Sequence, residues 1–182
     1  MTFSSYEAAA RRARHFRTLE RRLFEILGGW VPDEPDPTVK LVLREQSFQH
    51  AWHAELWESL LPPGDSGGER GGEGAALAAV LDAVAEPRAT LERLVGAYRV
   101  LVPRLVVAYA AQREAASTVA DRPLRRALGL MLADEVEGWR AGEELVQAWV
   151  ASPVEAELAG RHAARVEGLL VAAGGLGVLG EE

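Results

Sequence analysis

No stretch of the chain alternates apolar and polar residues with the period of two that a half-buried strand needs; apolar residues recur instead at helical spacing between proline and glycine breaks. Phe16, Leu19, Leu23, Ile26, Leu27 and Trp30 form one such stripe, which predicts a helix over about 5–27 ending at Gly28-Gly29. "VPDEPDPT" cannot propagate a helix, because three prolines remove donors and push their predecessors towards extended geometry; Thr38 then reads as an N-cap. The next helix is expected over about 39–61, stopping at Pro62-Pro63. "GDSGGERGGEG" reads as a flexible tract, followed by a short helix over 75–85. A long helix is expected over about 88–117, with Pro103 a kink, then one over about 121–150 opened by Asp121 and Pro123. "SPVE" combines a Ser152 cap, Pro153 in the first turn and Glu155 in capping-box position, and starts a last helix over about 153–173.

The fold class is therefore all-α. With 182 residues, 48% of them apolar, the chain suffices for one domain, expected over 1–173 with 62–74 as an internal Gly-rich linker and 174–182 as a tail. A net charge of −7 disfavours a general nucleic-acid binder, although Arg11, Arg12, Arg14, Arg17, Arg21 and Arg22 outnumber the acids of the first helix. Zero cysteines exclude disulfides, thiolate chemistry and Cys-ligated zinc or iron–sulfur centres. The N-terminus lacks the apolar run of a signal peptide, and no run of about 18 uninterrupted apolar residues follows, so a cytoplasmic protein without a membrane anchor is expected.

Carboxylates that interrupt apolar helix faces are the candidates for chemistry. Glu20 lies on the Phe16–Leu23–Leu27 stripe and Glu135 on the Met131–Trp139–Gly142 stripe. The segment "REQSFQHAWHAELW" adds Glu45 at the edge of its helix face, with Gln49 and His53 nearer the centre, and His50 three residues before His53.

Short first and last inter-helix loops with one long crossover between the second and third long helices resemble the ferritin-like four-helix bundles, here with an extra C-terminal helix. The resemblance covers about residues 5–150, and "ADEVEGWRAG" is similar to the family's Asp-Glu-x-x-His segment, with Glu135 in the ligand position. It implies an iron or manganese site with Glu20, Glu45, His50, His53 and Glu135 as candidate ligands. Departures are equally visible: Gly138 stands where the histidine after Glu135 should be, Phe48 follows Glu45 at that spacing, and Ser47 precedes His50. The third long helix offers Tyr98, Leu101 and Leu105 inward, so two metals would want about six protein ligands and find at most five. The expectation is an incomplete di-metal site holding no metal or one weakly bound ion, in a binding or assembly role. The alternative is a non-haem di-iron or di-manganese oxygenase acting on tRNA or a small metabolite.

The same residues also have plainer readings. Glu20 and Glu135 could be paired or protonated, the glutamines and histidines could bond one another or water, and His15 and His162 read as ordinary polar positions. Glu45, Gln49 and His53 are expected to line a polar seam with Glu20 and Glu135. Trp30, Trp57 and Trp149 exceed what one core needs and predict a homodimer, with a further protein partner or RNA as other candidates. The tail "GGLGVLGEE" is similar to the Gly/Leu tails that load ferritin-like cargo into encapsulin shells, but lacks their Ser-Leu step and basic ending; a glycine helix cap is its local explanation.

Overall fold

A computed structural model describes residues 6–61 and 74–176. Among the described residues there are six helices and no strand: α1 (Tyr6–Trp30), α2 (Pro37–Ser59), α3 (Ala75–Ala85), α4 (Thr90–Ala115), α5 (Arg122–Trp149) and α6 (Pro153–Ala172). The tract 62–73 and residues 177–182, which carry most of the expected linker and tail, lie outside the described residues.

The helix ends correct the expectations in detail. Gly28-Gly29 does not end α1, which continues to Trp30. Gly28 serves packing instead: a Cβ there would stand 2.8 Å from Ser47 Oγ, which itself donates to the Phe24 carbonyl at 3.0 Å. Asp36, not Thr38, caps α2; its carboxylate accepts from the Thr38 and Val39 amides at 2.7 and 3.1 Å, and Pro37 occupies the first turn where its missing N–H costs nothing. Asp121 opens α5 by position, but its side chain turns back to accept from the Ser117 amide. Ser152 caps α6 through the Glu155 amide, and Glu155 reaches back to the Ala151 amide, a capping-box exchange displaced by one residue. At the other end Gly174 and Gly175 take positive φ, and their amides bond the Val171 and Leu170 carbonyls, which is a Schellman stop.

Long-range pairs set the helix directions. Arg17 with Glu58 and Gly28 with Ser47 make α1 antiparallel to α2. Arg99 with Glu143 and Arg125 with the Arg113 carbonyl do the same for α4 and α5. Gln46 with the Gly138 carbonyl and His53 with Asp134 set α2 against α5, while Phe16 with Tyr109 and Trp30 with Arg93 set α1 against α4. It follows that α2 and α4 run the same way.

α4 is the central element. Its window of mean hydropathy 1.4 is long and apolar enough to cross a membrane by composition, yet 61% of that window is buried inside the fold, as expected of a core helix. α6 packs along α4 and α3 packs against α6, with Val84 of α3 and His162 of α6 each 3.3 Å from where a Cβ on Gly96 would stand. The expected kink at Pro103 takes the form of a π-helical turn, Gly96–Leu101, immediately upstream. The proline ring clashes with the carbonyl four residues back, that of Arg99, and widening this turn accommodates it. Phe16, Trp57 and Tyr109 stack at the α1–α2–α4 junction with ring centroids 5.1–5.7 Å apart. Trp30 and Trp57 are thus core residues rather than surplus surface aromatics, and the exposed aromatics among the described residues are Phe24, Phe48, Trp52 and Trp139.

Candidate metal centre

The α2 stripe that turns inward is Val39, Leu43, Gln46, Ser47, His50, His53, Ala54 and Trp57, at the three- and four-residue spacing of one helix face. His50 and His53 therefore point to the same side as the α2 core residues. Glu20 comes from α1, one turn after Phe16, and Glu135 from α5, one turn after Met131. All four are buried, Glu20 completely. One ligating atom from each lies within 4.8 Å of every other, so the group could hold a metal ion. Of the five ligand candidates read from the sequence, these four meet. Glu45 does not: it is exposed on α2, because the inward stripe passes through Gln46, one residue or about 100° further round the helix. Gln49 is likewise half-buried rather than inward, and Gln46 takes the interior place, donating to the Gly138 carbonyl at 2.9 Å.

The distances inside the group have a definite pattern. His50 Nδ1 donates to Glu20 Oε2 at 2.6 Å and stands 3.4 Å from Glu135 Oε1. His53 Nδ1 donates to Glu135 Oε1 at 3.1 Å and stands 3.5 Å from Glu20 Oε1. Ligands about 2.0–2.2 Å from one ion stand roughly 3–3.6 Å from each other, so small adjustments suffice to close this set on a single cation.

The surroundings support the ligands in the way metal sites require. His53 Nε2 faces Asp134 Oδ2 at 3.1 Å, which fixes the ring and leaves Nδ1 for the group, the carboxylate–histidine support common to imidazole ligands. On the opposite side Tyr109 donates to Glu20 Oε1, and Trp57 Nε1 donates to the Tyr109 oxygen at 3.0 Å. Tyr98, on the π-helical turn of α4, lies in the field of Glu135, and its ring rests where a Cβ on Gly142 would be: such an atom would come within 2.1 Å of the ring. Asp134, Tyr109, Trp57 and the role of Tyr98 were not foreseen. Asp134 adjoins Glu135 in the sequence, and Tyr98 and Tyr109 are eleven residues, three helical turns, apart; these are the only local signals.

Burial and charge oppose one another here. Burial would raise the Glu20 pKa, but the charges and hydrogen bonds of His50 and His53 hold it down at about 2. Burial would lower both imidazoles; the carboxylates overcome it, raising His50 through the charges of Glu135 and Glu20, and His53 to about 11 through hydrogen bonds to Glu135 and Glu20. Burial and the nearby carboxylates push both tyrosines up, so both stay protonated as donors. Within the buried group two carboxylates and two imidazolium ions balance, as would a divalent cation in place of the two protons, with Asp134 a third, part-exposed carboxylate at its edge. His15, whose ring bonds the Leu176 carbonyl, and His162, beside Gly96, lie away from the group; burial lowers the pKa of each.

In comparisons with known proteins, no family model, no curated protein and no solved structure matches the chain.

Proposed function

We propose that the chain is a ferritin-like bundle whose Glu20, His50, His53 and Glu135 hold one divalent transition-metal ion, iron or manganese, for a binding or assembly role rather than for two-metal iron oxidation. The ferritin-like part of this reading draws support from the helix directions, with α2 and α4 parallel across a long connection and every adjacent pair antiparallel. The observation that carries the metal is the four-residue group itself, two imidazoles and two carboxylates buried together with Asp134 behind His53. A mixed nitrogen and oxygen set of this kind suits iron, manganese or zinc, and leaves coordination positions for a further ligand. When bound, the ion supplies a Lewis-acidic centre; the protein holds it, orients His53 through Asp134 and Glu20 through Tyr109, and excludes bulk water by burial.

A two-metal oxygenase is the weaker reading, because α4 turns Tyr98, Leu101 and Leu105 inward and contributes no carboxylate or imidazole to the group. Action on tRNA has little support from the α1 arginines: Arg17 and Arg21 meet Glu58, while Arg22 meets Glu25 and Asp82. Self-association remains part of the proposal, moved to the exposed Phe48, Trp52 and Trp139; light scattering at tens of micromolar, an order-of-magnitude working range, should report a dimer, and a monomer removes that part.

Protein purified from iron- and manganese-supplemented medium, analysed for elements beside a Glu135→Ala variant, tests the main claim. One metal per chain, lost in the variant, is expected. Two per chain, both lost in the variant, would restore the oxygenase, and metal-free wild type would leave a salt-bridged polar seam.

A further inference from the structure

The Tyr98 hydroxyl is fully buried and has no hydrogen-bond partner among the described residues, which is unusual for a buried polar group and calls for a specific acceptor. Its position is not incidental. Gly142 leaves room for the ring, since any side chain there would collide with it, and Glu135, Gly138 and Gly142 form one stripe of α5 leading from the ring to the carboxylate. Tyr98 also sits on the π-helical turn of α4, a local widening that is frequent where a helix places a side chain for function. The contrast with Tyr109 is informative: that hydroxyl already donates to Glu20 and accepts from Trp57.

We propose that Tyr98 is the donor for a small exogenous anion held at the Glu20–His50–His53–Glu135 centre, so that the site binds a ligand of a few atoms on the Glu135 side. This rests on the metal reading above. Four protein ligands leave one or two positions open on a five- or six-coordinate ion, and the ligands and Tyr98 are all buried, which favours a ligand of few atoms. Tyr98 is then a specificity-determining residue, selecting ligands with an acceptor atom directed at α4.

Cobalt(II), whose visible bands report its coordination, and azide as the anion give a readout free of any assumed activity. Wild type and Tyr98→Phe are each loaded with cobalt, the cobalt stoichiometry is measured, and azide is titrated while the visible spectrum is followed. Phenylalanine keeps the ring against Gly142 and removes an unpartnered buried hydroxyl, so equal stoichiometry and a melting temperature no lower than that of wild type are expected. The azide dissociation constant should rise about tenfold in the variant, the loss of one hydrogen bond to a charged acceptor. Equal azide affinity in the two proteins overturns the role of Tyr98 and leaves the metal reading standing, as does a cobalt-loaded wild type whose spectrum azide never alters. Failure of the wild type to take up cobalt overturns the metal reading and this inference with it.

Discussion

The two faces of α4 are built on different principles. Towards α3 and α6 its Gly96 admits Val84 and His162, and apart from that histidine every buried side chain of those two helices is apolar. Towards α1, α2 and α5 it meets four buried ionisable groups with two tyrosines. The first face is stable in proportion to the area it buries, and tolerates apolar exchange of similar volume. The second is stable only while its charges are matched, by protons or by a cation. What this teaches is that the same helix can serve as a hydrophobic hub and as one wall of a polar chamber, because its two sides are sealed from one another by its own girth.

Substitutions that unbalance the chamber should have the largest effects. Glu20→Ala leaves two imidazoles facing one carboxylate and removes the acceptor of Tyr109; a loss of about 3–5 kcal/mol is expected in denaturant titrations of the metal-free protein, the cost of breaking a buried pair. On the apolar face Val84→Ala should cost about 1.5–3 kcal/mol, and by the same amount with or without metal. If saturating metal stabilised Val84→Ala more than wild type, the two faces would not be independent.

A smaller effect separates the ligands from their supports. Asp134→Asn keeps the four ligands and weakens the hold on His53, so metal affinity should fall about 10–100-fold with little change in the fold, measured by competition with a chelator of known affinity. The pH dependence follows from the imidazoles. His53 titrates near 11 and His50 is also raised, so below pH 7 both carry protons that a metal must displace. Apparent metal affinity should therefore climb by about two log units per pH unit between pH 5 and 7, an order-of-magnitude slope for two released protons. In the metal-free protein each group contributes over its own pH window. The raised His53 pKa contributes stability that is complete below its unfolded value of about 6.5 and is lost as pH rises towards 11; the depressed Glu20 pKa contributes above about 4.5 and is lost as pH falls towards 2. These two groups are thus worth most between about pH 4.5 and 6.5, and metal should move the optimum upwards. Smallest of all, Arg165→Ala removes an exposed pair with Glu86 and should change stability by less than about 1 kcal/mol.

Much of this was legible in the sequence, for identifiable reasons. The proline and glycine breaks located the helices, and Glu20 and Glu135 stood out because each interrupts an apolar stripe that must be buried. His53 was legible near the centre of its helix face, whereas His50 entered only as a histidine the ferritin-like pattern could use. Glu45 entered through the family's Glu-x-x-His template, whereas the register of α2 sends Gln46 inward. The neighbours of the group were not legible, because Tyr109 to Glu20, Trp57 to Tyr109 and Tyr98 to Gly142 are tertiary contacts between helices far apart in the chain. The helix through Gly28-Gly29 was missed for a similar reason, since a glycine that admits Ser47 reads in isolation as a break.

The central claim is that Glu20, His50, His53 and Glu135 converge on one ion. Crystals of metal-loaded protein, with diffraction collected on either side of the absorption edge of iron or manganese, test it directly. The account predicts a single anomalous peak per chain, within bonding distance of His50 Nδ1, His53 Nδ1 and both carboxylates. Two peaks bridged by the carboxylates, or a peak away from these four side chains, would contradict it.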